Sequence, residues 1–270
     1  MIDVLLATYR PNERFLEAQV SSIRAQEGVD VNLVVREDAE GEGARANFAK
    51  LLDMSKSEYV AFADQDDVWR KDKLAKCLAR MRALEETHGI ETPALVFCDS
   101  QVADAGLKVQ CSSFVHGRVG DVGCAVRFPR MLMQNFIPGH AMLFNAALRA
   151  KAGKIPGEAI MHDYWVALVA AAFGNISFVD EPLVKYRQHG GNVLSSESRR
   201  MGFGDFRARL MANVRQARAF AERFGGECPP CCMALSEIGG RSWLGRRRTL
   251  LKHGLFKAGC TRNIMLFAAI

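Results

Sequence analysis

The stretch Glu58-Tyr59-Val60-Ala61-Phe62-Ala63-Asp64-Gln65-Asp66-Asp67-Val68-Trp69 decides the reading of this chain. Its first half is a short apolar run of the kind that forms a buried strand. Three carboxylates leave the end of that strand together. Like charges so close raise one another's pKa unless a cation sits among them. Hard divalent ions take oxygen ligands, and Mg²⁺ is commonly held by one or two carboxylates plus substrate phosphates. Ligands of open α/β sheets also gather beyond the carboxyl ends of strands. A metal-diphosphate site at this strand end is therefore one reading. The other is an acidic turn that caps a helix beginning near Arg70, with Asp67 at or near the N-cap.

Outward from this stretch the pattern is strand, helix, strand, helix, strand. Ile2 to Ala7 is wholly apolar apart from Asp3 and fits an interior strand of a parallel sheet. Pro11 bars helix at Arg10, and Asn12 is a good N-cap for a helix through Phe15, Val20 and Ile23. Val31 to Val35 is a second strand, Ala46 to Leu52 a helix and Tyr59 to Ala63 a third strand. This is the opening of a doubly wound α/β sheet. The loop after the first strand holds no glycine, so neither G-x-G-x-x-G nor a Walker sequence is present there. Nucleotide binding would have to use a metal and side chains.

Further along, Arg70 to Glu86 is an amphipathic helix and Ala94 to Cys98 a fourth strand. Residues 104–130 are weakly patterned. Phe136 to His140 is a turn, Ala141 to Phe144 a strand and Ala146 to Ala152 a short helix. Met161-His162-Asp163-Tyr164-Trp165 opens a helix that is apolar nearly all round and hence buried. His162 and Asp163 stand at its start, where the helix dipole favours negative charge or a simple cap. Ile176 to Val179 and Leu183 to Tyr186 read as two strands split by Glu181-Pro182. Phe206 to Phe224 is amphipathic, and short basic helices follow.

The 270 residues are enough for one sizeable domain, or one domain with an appendage. No apolar run nears the roughly 20 residues that span a bilayer. The opening residues lack the basic region and cleavage site of a signal peptide, so a cytoplasmic location is expected. Eight scattered cysteines fit a reducing compartment, and Cys228-Pro229-Pro230-Cys231-Cys232 lacks a well-spaced second ligand pair for zinc. From Arg199 to Arg262 fourteen Lys or Arg stand against four acids, near +10, which leaves about −4 for residues 1–198. This basic tail fits contact with anionic lipid, a solvated helical face or a nucleic-acid surface. The scarcity of interleaved aromatics speaks against nucleic acid.

The words Leu5-Leu6-Ala7-Thr8-Tyr9, Glu37-Asp38, Asn47-Phe48, Asp64-Gln65-Asp66-Asp67-Val68-Trp69, Pro138-Gly139-His140, His162-Asp163-Tyr164-Trp165 and Tyr186-Arg187-Gln188-His189-Gly190-Gly191-Asn192 occur in this order. Together they resemble the family 2 inverting glycosyltransferases, in particular their bacterial rhamnosyltransferase-like branch. The resemblance covers roughly residues 2–195. It implies a GT-A-type fold, a mostly parallel sheet flanked by helices, in residues 1–198, with 199–270 as a basic helical extension.

The resemblance also implies roles. Thr8, Tyr9, Arg10 and Asp38 would hold the nucleoside, Asp64 the ribose, and Asp66 with His189 a Mn²⁺ or Mg²⁺ ion. Asn47, Gln65, Trp69 and Lys73 would complete the nucleotide-sugar site. Gly139, His140, His162 and Trp165 would line the acceptor and donor pocket, and Asp163 would be the catalytic base. Arg10 and Glu37 depart from the residues commoner in the family. The implied reaction moves a sugar, rhamnose among the candidates, from a dTDP- or UDP-linked donor. The implied acceptor is a hydroxyl of a growing cell-surface glycan, with a glycan or lipid-linked acceptor, peripheral contact at the inner face of the cytoplasmic membrane and no nucleic acid. The alternatives are a non-catalytic nucleotide-sugar-binding protein of the same fold and a nucleotidyltransferase, although the latter usually has a Gly-rich first loop.

Overall fold

The structure is a computed structural model that describes residues 1–189 and 202–270. The Gly190-Gly191-Asn192 end of the last motif and the expected boundary at 198/199 lie outside the described residues.

Strand β1 (Ile2–Thr8) lies between β2 (Val31–Glu37) and β3 (Tyr59–Ala63), parallel to both. The crossovers are α1 (Glu13–Arg24) and α2 (Ala44–Met54). Asn12 caps α1 by accepting from the Phe15 amide at 3.3 Å. After β4 (Val68–Trp69) and α3 (Lys73–His88) come β5 (Ala94–Ala103), β6 (Val109–Cys111), α4 (Val122–Ala125) and α5 (Phe128–Met133). Then follow β7 (Met142–Asn145), α6 (Ala146–Ala152), α7 (His162–Phe173) and β8 (Asn175–Arg187). Helices α8 (Phe203–Phe224), α9 (Pro230–Ser236), α10 (Trp243–His253) and α11 (Cys260–Ala269) end the chain.

The sheet order is β2-β1-β3-β7-β5-β8-β4, with β6 on β5. β7 is antiparallel to both β3 and β5, and β8 is parallel to β5. It follows that β1, β2, β3, β5 and β8 all run one way. Their carboxyl ends share one edge of the sheet, and Thr8, Asp38, Asp64 and His189 sit at or just beyond it.

Side chains alternate across the strands, so each face builds its own core. Leu5, Phe62, Leu95 and Phe97 belong to one, with α2, α5 and α7. Val4, Leu6, Ala61 and Val96 belong to the other, with Leu74, Leu78 and Met81 of α3. The C-terminal helices extend the first core: Leu210, Val214 and Phe220 of α8, Leu250 of α10 and Leu266 of α11 are buried in it. Asn213 on α8 donates to the Leu132 carbonyl at 2.7 Å.

Two readings need correction, and one unplaced region can be filled in. Asp67 caps no helix: Val68-Trp69 is a strand, and α3 starts only at Lys73. The two expected strands around Glu181-Pro182 are one, β8. Its pairing with β5 shifts register between Cys98 and Ser100, and this bulge accommodates Pro182, which has no amide to donate. The weakly patterned 104–130 region holds β6, α4 and the start of α5. The cysteines are all free thiols, and among the described residues none belongs to a group of three or more metal-type side chains.

Candidate active site

The loops after β1 and β2 are tied together from below. The Asp38 amide donates to the Thr8 carbonyl at 2.8 Å. Asp38 then turns its carboxylate onto the start of α2, accepting from the Glu42 amide at 2.9 Å and the Gly43 amide at 2.8 Å. Burial works to raise its pKa, but these amides hold it below the usual carboxylate range. Buried Asn47 donates to the carbonyls of Thr8 at 3.3 Å and Arg36 at 3.2 Å, and accepts from Arg36 Nη1 at 2.7 Å. Gln65 spans the Tyr9 peptide groups: Oε1 accepts from the Tyr9 amide at 2.8 Å and Nε2 donates to its carbonyl at 3.3 Å. The Tyr9 ring is left exposed, with the exposed Arg10 guanidinium 5.2 Å from its centroid. Arg10 has a positive φ of 41°, unusual for a residue with a side chain. Thr8, Tyr9, Arg10, Asp38, Asn47 and Gln65 thus meet in one network at the sheet edge.

The three carboxylates fan out in different directions. Asp66 Oδ2 lies 2.6 Å from His189 Nε2. Asp64 and Asp67 both turn Oδ2 toward His140 Nδ1, at 3.6 and 3.5 Å, and the three ligand atoms lie within 4.8 Å of one another. His140 is fixed from behind, with Nε2 3.0 Å from Ser100 Oγ and its ring stacked on Tyr186 at 4.9 Å. Asp67 Oδ1 accepts from the Arg187 amide at 3.0 Å, while its Oδ2 is buried without a hydrogen-bond partner. Arg187 also reaches the Asp66 carbonyl through Nε at 2.7 Å. Burial, then the neighbouring carboxylates, push Asp66 and Asp67 up; His140 holds Asp64 down against its burial. An orphaned carboxylate oxygen and crowded carboxylates beside two imidazoles form a donor set suited to a divalent cation.

Asp163 stands in the first turn of α7. Its Oδ2 accepts from the Gly139 amide at 3.1 Å and lies 3.4 Å from Asn135 Nδ2; Oδ1 accepts from the Tyr164 amide at 2.7 Å. Burial raises its pKa to about 7, and the charge of Asp64 adds to the shift against the pull of the amides. A carboxylate with such a pKa is matched to proton abstraction near neutrality.

Four residues expected at the site lie beneath it instead. His162 is buried, stacked on Phe48 at 3.8 Å and edge-on to Phe62, and burial lowers its pKa to about 3, which keeps it neutral. Trp165 is fully buried, with Nε1 donating to the Ala152 carbonyl at 3.1 Å and its ring against Phe220. Trp69 fills the second core, and Lys73 lies buried with Nζ 3.1 Å above the Trp69 ring. Indoles are large apolar bodies, and here packing claims both of them. The structure adds Ser100, Asn135, Tyr186 and Arg187, whose contacts join segments distant in sequence. No local pattern marks them.

Residues 7–94 match the family model described as Glycosyl transferase family 2. About a third of the chain is thus similar to this family. The matched residues include the network around Tyr9 and the carboxylate fan; Asp163 lies beyond them. Among curated proteins the chain is similar to the amylovoran biosynthesis glycosyltransferase AmsB of Erwinia amylovora, 34% identical over 84 residues. It is also similar to the dTDP-rhamnosyl transferase RfbG of Shigella flexneri, 27% identical over 103 residues. These matches cover 31% and 27% of this chain, and 27% and 35% of the two relatives. Among solved structures, the mannosyltransferase PcManGT from Pyrobaculum calidifontis, in complex with GDP-Man and Mn²⁺, superposes with a TM-score of 0.52. It is 16% identical, over 99% of this chain and 78% of that one. S. aureus TarS 1-349 in complex with UDP-GlcNAc gives a TM-score of 0.52 at 14% identity, over 93% of this chain and 88% of that one. At these identities the likeness concerns the fold, which is the GT-A type that the family 2 resemblance implied.

Proposed function

We propose that this chain is a metal-dependent inverting glycosyltransferase. It moves a sugar from a nucleoside diphosphate to a hydroxyl of a growing cell-surface glycan. The observation that carries this reading is Asp163. Its carboxylate is fixed by the amides of Gly139 and Tyr164 and raised to about 7, close enough to Asp64 to feel its charge.

The exposed Tyr9 ring, Arg10 and the turn closed by Asp38 form the nucleoside side, with Gln65 and Asn47 keeping the two loops in register. Asp64 reaches the ribose. Asp66 and His189 would hold a Mn²⁺ or Mg²⁺ ion, which would supply a Lewis acid for the charge on the departing diphosphate. Asp163 accepts the proton of the acceptor hydroxyl as that oxygen attacks the anomeric carbon. One displacement inverts the configuration, so one base suffices. Asn135 and Gly139 keep the carboxylate aimed while it changes charge. Burial keeps His162 neutral, and so it places no second positive charge beside the base.

A deoxyhexose such as rhamnose, carried on dTDP or UDP, is favoured by the similarity to a protein described as a dTDP-rhamnosyl transferase. A polysaccharide acceptor is favoured by the similarity to one described by amylovoran biosynthesis. No helix among the described residues is long and apolar enough to cross a membrane. A lipid-linked acceptor would bring a cytoplasmic enzyme to the inner face of the cytoplasmic membrane. The test is a thermal-shift screen against nucleotide-sugars with and without Mn²⁺, followed by a nucleoside-diphosphate release assay on the best donor. A metal-dependent shift followed by release is expected. A shift with no release on any acceptor would leave a binding protein, and release of pyrophosphate a nucleotidyltransferase.

A further inference from the structure

We propose that the outward face of α10 and α11 is a docking surface for an anionic lipid bilayer. In α10 the buried side is Thr249 and Leu250. The opposite side should then be polar in an ordinary surface helix. Instead Leu244 and Leu251 stand there, 58 and 60% exposed, and Trp243 at the helix start is 63% exposed. At helical spacing Leu244, Arg248 and Leu251 share one face, with Lys252 at its border and Trp243 at its N-terminal flank. Arg247 stacks on the Trp243 ring at 3.6 Å and donates to the Phe267 carbonyl of α11 at 2.5 Å, joining the two helices. On α11, Ile264 is 71% exposed.

The charge carried by these two helices and their link has one sign. Residues 241–270 contain seven Lys or Arg and no acid. Among the described residues, Arg248, Lys252 and Arg262 are exposed and form no ion pair with any acid. An exposed apolar stripe set in unpaired cationic charge complements an anionic interface, where the stripe enters the acyl boundary and the cations meet the headgroups. A neutral membrane would satisfy only the first half of this surface, and nucleic acid only the second.

The surface is also tied to the active site. Between α10 and α11, Lys257 Nζ donates to the Met133 carbonyl at 2.6 Å, and the Ala258 amide to Gln134 Oε1 at 3.3 Å. The next residue, Asn135, is the one that contacts Asp163. Seating these helices on a bilayer would bring membrane-held acceptors to the side of the site where the base stands. This last step rests on the transferase reading; the lipid binding itself does not.

The full chain is sedimented with vesicles of phosphatidylcholine alone and with vesicles that also contain phosphatidylglycerol. Partition onto the anionic vesicles should be about tenfold stronger or more and should weaken with salt. Tryptophan emission should shift to the blue, since Trp243 is exposed while Trp69 and Trp165 are already buried. Leu244→Ser with Leu251→Ser, and separately Arg248→Glu with Lys252→Glu, should each cut anionic partition about tenfold. Melting temperature and donor hydrolysis in solution should be unchanged in both variants. Absence of partition, equal partition onto both vesicle types, or variants that bind like the parent would overturn the proposal. So would a concentration-dependent dimer that the same substitutions abolish, since a second copy would then own the face. Vesicle binding without any donor turnover would overturn the transferase reading and leave the docking surface standing.

Discussion

The Gly139 amide donates to Asp163 Oδ2 at 3.1 Å, and Gly139 is pressed closely against the start of α7. A Cβ there would stand 3.3 Å from Asp163 Cβ and 3.3 Å from His162 Nε2. What favours glycine here is the close approach to the base, since its φ is not in the left-handed region. Gly139→Ala should displace the carboxylate by a few tenths of an ångström and weaken its bond to the amide. The expected result is a fall in kcat of about 10- to 100-fold, with the donor KM nearly unchanged. Steady-state kinetics on a folded variant, checked by circular dichroism, would show this split.

The raised pKa of Asp163 sets a pH dependence. A base must be ionised to accept a proton, so kcat/KM should climb through about pH 7 and fall tenfold per unit below it. If the profile is flat down to pH 5, burial is not raising this group.

Stability should move the opposite way. A carboxyl whose folded pKa lies above its unfolded value favours folding while protonated. That contribution is complete below about pH 4 and is lost as pH rises through about 7. Asp163→Asn, which is neutral at every pH, should therefore melt higher than the parent at pH 8. After allowance for partial exposure, the gain is on the order of 2 kcal/mol. The difference should vanish near pH 4, as thermal denaturation at the two pH values would reveal.

Gln65 is bonded to the Tyr9 peptide groups on both sides. Gln65→Ala should loosen the nucleoside loop by about 1–2 kcal/mol. It should raise the donor KM roughly tenfold and leave kcat within about twofold.

Asp66 and His189 lie 2.6 Å apart. Chelation of divalent ions should abolish turnover in the parent, and Mn²⁺ should restore it. Asp66→Asn should lower turnover about 100-fold or more, with no recovery on added Mn²⁺. His189→Ala should raise the Mn²⁺ concentration needed for half-maximal rate. Full activity of Asp66→Asn in the presence of chelator would remove the metal from the proposal.

Much of this was legible before any coordinates. The runs Ile2 to Ala7 and Tyr59 to Ala63 are so short and apolar that an interior strand is nearly the only use for them. The polar residues that follow them, Thr8-Tyr9-Arg10 and Asp64-Gln65-Asp66, then fall on one edge by topology. Asp64, Asp66 and Asp67 stood out because like charges crowded at a strand end are costly without a cation, whereas Asp163 was marked by the family resemblance. The strand through Pro182 was misread because a bulge hides the proline's missing donor, and a bulge leaves no sequence mark. Trp69 and Trp165 were open between sugar and core, and with Lys73 they lie in the core for another reason. An aromatic ring fits a sugar and a core equally well, and a lysine stem can lie buried along an indole. Ser100 and Asn135 were invisible: their partners, His140 and Asp163, are 40 and 28 residues away.

The most direct test compares the parent with Asp163→Asn on one nucleotide-sugar donor, reading donor-induced thermal shift and nucleoside-diphosphate release side by side. The account expects the shift to survive in the variant while release falls by at least about 1,000-fold. Release undiminished in Asp163→Asn would contradict it, because the proton would then be leaving by another route.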